Sequence, residues 1–290
     1  MSLTFTPLHP TFAAEVAPID LRQAHDPAVL ESLQRGMAQY GVLVFRDQRF
    51  TNEEQMAFAQ RFDGELHART STAVLVKNRH GNEALSDVSN VRADGQILPG
   101  EDRRRIGALA NRLWHTDASF VTPPGRFSML SARVVPEVAA DTEFCDTRAA
   151  YAALDEATRA TLAPLRVHHS IAYSREVLGF VFTAEEREKL KGAEQPLIRR
   201  IARDPRPALY LASHAQAVVG MPLAEGRLLL RDLMEHATQP QFVYRHQWRP
   251  HDFVIWDNRT TMHRATPFDD RKYRRELVRT TTLDIETALP

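Results

Sequence analysis

Cysteine is nearly missing: Cys145 is the only one in 290 residues. A lone thiol excludes a disulfide framework and suits a reducing compartment, with Cys145 itself read as a small buried hydrophobe. Net charge is lacking too. The 37 basic side chains balance 37 acidic ones, which leaves no reason to expect a nucleic-acid partner. Long hydrophobic runs are absent. Val42-Leu43-Val44-Phe45 is typical of the apolar stretches and is far too short to span a bilayer. The first ten residues hold neither a basic n-region nor an apolar h-region, so no secretory signal is read and a cytoplasmic location with no membrane contact is expected. Internal repeats and low-complexity linkers are missing as well. What is there, 43% hydrophobic and 26% charged residues, is the composition of a globular protein with a sizeable core. The length allows one large domain or two ordinary ones.

Asp26 and Pro27 open a helix whose stripe is Leu30, Leu33, Met37 and Tyr40; Gly41 ends it, and a short buried strand follows at 42–45. Thr51-Asn52-Glu53-Glu54 is a capping box that starts a second helix, burying Met56, Ala59 and Phe62. Residues 73–76 look like a strand. The polar stretch after them holds Gly81, Gly95, Pro99 and Gly100 and is read as an active-site loop over 77–110, with Arg103-Arg104-Arg105 as a solvated face. From 127 onward strands dominate, at 127–135 and 142–145. Residues 147–163 and 223–236 read as helices, Thr183-Ala184-Glu185-Glu186 opens another, and His168 and His169 point to opposite faces of a strand. Asp204-Pro205-Arg206-Pro207 reads as a turn between strands at 197–201 and 208–211. Residues 146–240 therefore form a partly helical insertion. The last fifty residues read as strands at 242–248 and 253–256, another beginning at His263, and a final one at 274–283. The pattern predicts a β-rich α+β fold, a sandwich or jelly roll with helices packed outside.

The chemistry gathers around Trp114-His115-Thr116-Asp117. On an extended chain the side chains at i and i+2 share a face, so His115 and Asp117 aim at one point. With one distant histidine, His263, they would make a two-His-one-carboxylate triad, which leaves three adjacent positions open on a non-haem Fe(II). Alone the motif decides little in a chain with 12 histidines and 37 acidic residues. Its weight comes from the order that follows: Thr142, then His263, then Arg275 and Arg279. On a strand Arg275, Leu277 and Arg279 share a face, and two arginines on one buried face are costly unless each meets an anion. Two small anions beside a metal would satisfy them. Asn111, just ahead of the metal motif, is placed at the wall of the site. Trp114 and Trp256 are read as core walls near the metal, and His246 as the spare ligand candidate. His115, Asp117 and His263 are expected to act as ligands only, with no other catalytic group.

The order His-x-Asp, Thr, His, Arg resembles the taurine dioxygenase family of Fe(II)/2-oxoglutarate dioxygenases. The likeness includes Tyr40-Gly41-Val42-Leu43-Val44-Phe45-Arg46, Asn111 with the metal motif, and Trp256-Asp257-Asn258-Arg259 with His263-Arg264. Pro7-Leu8-His9-Pro10, Ser128-Met129-Leu130-Ser131-Ala132, Asp141-Thr142-Glu143-Phe144-Cys145-Asp146, Phe242-Val243-Tyr244-Arg245-His246 and Arg274-Arg275-Glu276-Leu277 resemble its 2,4-dichlorophenoxyacetate branch in particular. The resemblance implies a double-stranded β-helix and one dioxygenase domain over 1–290. It implies Fe(II) on His115, Asp117 and His263, 2-oxoglutarate held by Thr142 and Arg275, and O2 as the second cosubstrate. Arg279 matches the arginine that takes the substrate's acid group. The segment between His263 and Arg275 is one residue longer than in the branch, which keeps Arg274 as the alternative to Arg275. The implied substrate is a small anionic aromatic acid, hydroxylated next to an ether oxygen. A taurine or alkyl sulfate dioxygenase is the alternative within the family. A zinc hydrolase and a silent jelly-roll binding module are the alternatives outside it. A homo-oligomer is left open.

Overall fold

The computed structural model describes residues 3–68 and 79–285. The strand expected at 73–76 and the first two positions of the expected loop lie outside these residues.

Two sheets face each other. The larger has seven strands in the order β1-β2-β3-β13-β5-β15-β4: Thr4–Pro7 (β1), Ala14–Ala17 (β2), Val42–Phe45 (β3), Phe253–Asp257 (β13), Gly125–Val134 (β5), Glu276–Leu283 (β15) and Ser86–Ser89 (β4). The smaller has the order β12-β6-β14, from Val243–His246 (β12), Thr142–Asp146 (β6) and Thr261–Ala265 (β14). The period of two decides what each face meets. Leu43, Phe45, Met129, Phe253 and Ile255 pack against Leu33 and Met37 of helix α1 (Pro27–Tyr40) and Phe58 and Phe62 of α2 (Asn52–Asp63). Their neighbours Val42, Val44, Leu130, Ala132, Val254 and Trp256 turn the other way and meet Phe144 of β6. On the far side of the small sheet, Cys145 and Met262 pack with Ala150 of α4 (Thr147–Ala152) and with Leu230 and Leu233 of α8 (Leu223–Ala237). The layers are thus helix, sheet, sheet, helix. Each fully buried large apolar side chain stabilises this stack by about 1.5–3 kcal/mol.

The chain leaves the small sheet at Asp146 and re-enters it at Val243, whose strand partner is Cys145. Between them lie α4, α5 (Glu156–Leu162), β7 (Arg166–His169), α6 (Ile171–Glu176), α7 (Ala184–Lys189), β8 (Ala193–Pro196), β9 (Ile198–Ile201), β10 (Asp204–Leu209), β11 (Ala215–Val218) and α8. These strands form a three-stranded sheet, β11-β7-β8, and a hairpin, β10-β9. No helix among the described residues is long and apolar enough to cross a membrane.

Several local expectations are corrected. The helix over 147–163 is two helices, because Asp155 stops the first and caps the second by accepting from Thr158 N at 2.8 Å. Asp204 to Pro207 is no turn but part of the bulged strand β10, where the buried Asp204 accepts from Arg148 Nη1 at 2.9 Å. The loop over 77–110 holds β4, laddered to β15, and a short helix α3 (Arg103–Ala108). Arg103 and Arg104 are exposed there, whereas Arg105 turns inward to Asp270 at 2.7 Å. The strand at 242–248 is regular only over Val243–His246, and His263 sits mid-strand rather than at its start.

Candidate metal centre

His115 and Asp117 do not occupy a regular strand, as the sequence suggested. His115 makes a single bridge to His263: its N donates to His263 O at 3.0 Å and its O accepts from His263 N at 2.9 Å. Main chain therefore sets the two imidazoles side by side, with ring centroids 4.2 Å apart. Asp117 begins the turn that follows, and Ala118 after it sits at φ +54°, a left-handed conformation that costs a non-glycine residue about 1 kcal/mol or more. Gly125 lets β5 pass this turn closely: a Cβ there would lie 2.9 Å from Thr281 Cγ2 and 3.1 Å from Asp117 O. Asn258 fixes the turn by accepting from Asp117 N at 3.1 Å.

The result is three buried ligand atoms, one each from His115, Asp117 and His263, all within 4.8 Å of one another. His115 Nε2 lies 3.9 Å from Asp117 Oδ1, and His263 Nε2 lies 3.7 Å from Asp117 Oδ2. His115 Nδ1 is 2.8 Å from Leu113 O, an acceptor only, so Nδ1 carries the proton and Nε2 offers its lone pair. Burial pulls the pKa of both histidines down, which keeps them neutral as a ligand must be. Burial alone would push the Asp117 carboxyl up. Arg279 and the two imidazoles outweigh it and hold the carboxyl below its usual range. Each carboxylate oxygen also has a donor: Arg279 Nη1 reaches Oδ1 at 2.5 Å and Ser128 Oγ reaches Oδ2 at 2.8 Å. Two neutral imidazoles and one ionised carboxylate on one side of a cleft fit a divalent transition metal with open positions.

The ligands open on a cleft of about 110 Å³ whose wall includes Asn111, Thr142, Arg275 and Arg279 as well as His115 and His263. Arg279 stands on the inner face of β15. Arg275 lies just before that strand rather than on it, and the register shifts between Glu276 and Leu277. Its direction is fixed instead by Asn90, whose Oδ1 accepts from Arg275 N at 2.8 Å while its Nδ2 donates to Asp270 O and Tyr273 O, both at 2.7 Å. Arg275 is buried, and among the described residues its guanidinium has neither a hydrogen bond nor an ion pair. Burial draws its pKa down to about 10, so it stays charged at neutral pH. Arg274 turns outward, with 48% of its side chain exposed, and pairs with Glu276. Thr142 Oγ1 accepts from the indole Nε1 of Trp248 at 3.0 Å. Because an indole only donates, the hydroxyl hydrogen of Thr142 remains for an acceptor elsewhere.

Trp256 packs on His263 with centroids 4.6 Å apart, and Trp114 lies under the Arg264 guanidinium at 4.7 Å. His246 stands apart from the cluster, with Nε2 3.1 Å from Asp252 Oδ2. Ser128, Asn90 and Trp248 were not singled out from sequence, and Asn258 was read only as part of a turn.

Residues 4–281 match the taurine catabolism dioxygenase TauD, TfdA family. The chain belongs to this family. It is 44% identical over 285 residues to an alpha-ketoglutarate-dependent 2,4-dichlorophenoxyacetate dioxygenase of Cupriavidus pinatubonensis, covering 98% of this chain and 99% of that one. It is 36% identical over 272 residues to an (S)-phenoxypropionate/alpha-ketoglutarate-dioxygenase of Sphingobium herbicidovorans, covering 91% and 89%. Among solved structures, AAD-2 in complex with Mn(II) and N-oxalylglycine is similar at TM-score 0.90 and 42% identity over 100% of both chains. The fold is accordingly the family's jelly roll. The protein is a 2-oxoglutarate-dependent dioxygenase that uses Fe(II), 2-oxoglutarate and O2, which sets aside the zinc hydrolase and the silent binding module.

Proposed function

We propose that the substrate is an aryloxyalkanoate of the 2,4-dichlorophenoxyacetate type, hydroxylated on the carbon between ether oxygen and carboxylate. The product hemiacetal collapses to a phenol and glyoxylate, while 2-oxoglutarate leaves as succinate and CO2. The observation that supports this reading is the 44% identity, over 98% of this chain, to a 2,4-dichlorophenoxyacetate dioxygenase; beside it, the cleft the metal ligands open on holds a buried guanidinium, Arg275, that pairs with no carboxylate among the described residues. A buried cation of this kind calls for an anionic ligand.

His115, Asp117 and His263 would hold Fe(II), which with 2-oxoglutarate and O2 supplies the oxidant. Arg275 would take the far carboxylate of 2-oxoglutarate in a bidentate pair, which fixes direction as well as charge. The Thr142 hydroxyl, held by Trp248 with its hydrogen to spare, would donate to the same cosubstrate. Arg279, beside Asp117, and Asn111 would face the acid end of the substrate, so that one C–H bond is presented to the metal. The family match across residues 4–281 supports one catalytic domain, and the buried, unpaired Cys145 suits a reducing cytoplasm.

The test is a succinate-release screen with Fe(II), 2-oxoglutarate and a panel of aryloxyacetates, aryloxypropionates, taurine and alkyl sulfates. Phenol release from an aryloxyalkanoate is expected, matched by succinate. If taurine or an alkyl sulfate outperforms every aryloxyalkanoate, the substrate reading is wrong.

A further inference from the structure

Arg279 is shared with a metal ligand, because its Nη1 donates to Asp117. A third arginine near the metal has no such commitment. Arg175, on the short helix α6, is buried to 8% exposure. Its Nη1 donates to Ser174 Oγ at 2.9 Å, its buried Nε has no partner, and among the described residues it pairs with no carboxylate. The Ser174 hydroxyl that holds it is itself fixed, donating to Ile171 O at 2.8 Å. Burial first, then the Arg279 charge, with the Asp117 charge opposing them, bring the Arg175 pKa down to about 10, so both groups are near it. Two like charges that feel each other in a buried place are relieved by an anion between them.

Arg175 also lines a second cavity of about 290 Å³, walled by Leu109, Leu113, Leu178 and Phe180 and reached by Arg112. Leu109 and Arg112 border the metal cleft as well, so the two spaces are neighbours. Among the described residues no carboxylate lines the second one. Its size exceeds the ~150 Å³ of an apolar cavity that admits benzene. An apolar chamber with a buried cation at its edge, next to a metal cleft, has the polarity of an aryl acid.

We propose that Arg175 is a specificity-determining residue that clamps the substrate's carboxylate together with Arg279, and that the aryl ring enters the chamber walled by Leu109, Leu113, Leu178 and Phe180. This rests on the aryloxyalkanoate reading above.

The experiment measures 2,4-dichlorophenoxyacetate binding to the anaerobic Fe(II)/2-oxoglutarate protein, alongside phenol release. Arg175→Gln should weaken binding about 30-fold or more, because one partner of a desolvated charge pair is lost. Arg175→Lys should recover part of the loss, and the 2-oxoglutarate requirement should stay within about twofold of the parent. Leu178→Trp guards against a folding artefact, since Leu178 stands 47% exposed at the chamber mouth and tolerates bulk. It should weaken binding of the aryl ether by narrowing the chamber. Parent protein that releases phenol while Arg175→Gln binds within twofold would overturn the role of Arg175. Undiminished binding in Leu178→Trp would overturn the ring's location. Parent protein that neither binds an aryloxyalkanoate nor releases phenol would overturn the substrate reading itself, and the clamp with it.

Discussion

Ser128 Oγ donates to Asp117 Oδ2 at 2.8 Å, and the same hydroxyl accepts from Asn258 Nδ2 at 2.9 Å. A serine on the inner face of β5 thus steers the carboxylate through a bond that needs no metal. Groups that orient a metal ligand are typically worth 10–100-fold in metal affinity. Ser128→Ala is therefore expected to weaken Fe(II) binding by about tenfold or more, read by anaerobic titration of the visible band that Fe(II) and 2-oxoglutarate give together. Unchanged affinity would mean that Arg279 and the turn at Ala118 hold Asp117 by themselves.

Arg275 and Arg274 are neighbours with opposite surroundings. Arg275→Ala is expected to raise the 2-oxoglutarate requirement at least about a hundredfold, because a buried pair loses one partner at a cost of roughly 3–5 kcal/mol. Arg274→Ala removes a half-exposed guanidinium from a Glu276 that Arg79 still holds at 2.8 Å, and should leave that requirement nearly unchanged. Initial rates against 2-oxoglutarate concentration decide it, and a reversed result assigns the cosubstrate to Arg274.

The Trp248–Thr142 hydrogen bond gives a more delicate test. Trp248→Phe keeps an aromatic ring but frees the threonine hydroxyl to rotate, a loss of about 0.5–1.5 kcal/mol. The 2-oxoglutarate requirement should rise about three- to tenfold. Because both residues act through one hydroxyl, Trp248→Phe added to Thr142→Val should cost little beyond Thr142→Val alone. Fully additive effects would separate the two.

The cover over the site should be smaller than a loop through residue 110. β4 is laddered to β15 from Ser86 to Ser89, whereas α3 and the 3-10 turn Leu109–Arg112 lie against the cleft and the aryl chamber. Hydrogen exchange is expected to slow over 103–113 when substrate is added to the Fe(II)/2-oxoglutarate protein, with 86–89 unchanged. Equal exchange over 103–113 with and without substrate removes the idea of a cover.

What was legible in the sequence follows from the range of the forces involved. His115 and Asp117 could be paired on paper because an extended chain repeats every second residue, even though no regular strand runs there. The capping box at Thr51 and Glu54 is local and was read correctly. Phe144, Trp256 and Val44 meet between the sheets because each alternates with a neighbour that faces a helix, which is also a local signal. β4, by contrast, is the polar Ser-Asp-Val-Ser, and only its partner β15, far along the chain, makes it a strand. Asp204-Pro205-Arg206-Pro207 has the composition of a turn, but proline is also accepted on a bulged strand of a two-stranded sheet. The segment 173–182 is expected to supply pocket walls, but nothing local singles out Arg175 within it. Its helix is six residues long, and its meaning comes from Arg279, more than a hundred residues further along the chain.

The excursion from Asp146 to Val243 starts and ends on adjacent strands, with Val243 directly opposite Cys145. A loop whose two ends are already held together can change length at small cost, since closure entropy grows only with the logarithm of its size. This excursion supplies Arg175, Leu178 and Phe180, whereas the metal ligands, Thr142, Arg275 and Arg279 all lie outside it. Selection, or an engineer, could therefore graft or trim this segment to admit a different acid while the oxygen-activating half of the protein went on unaltered.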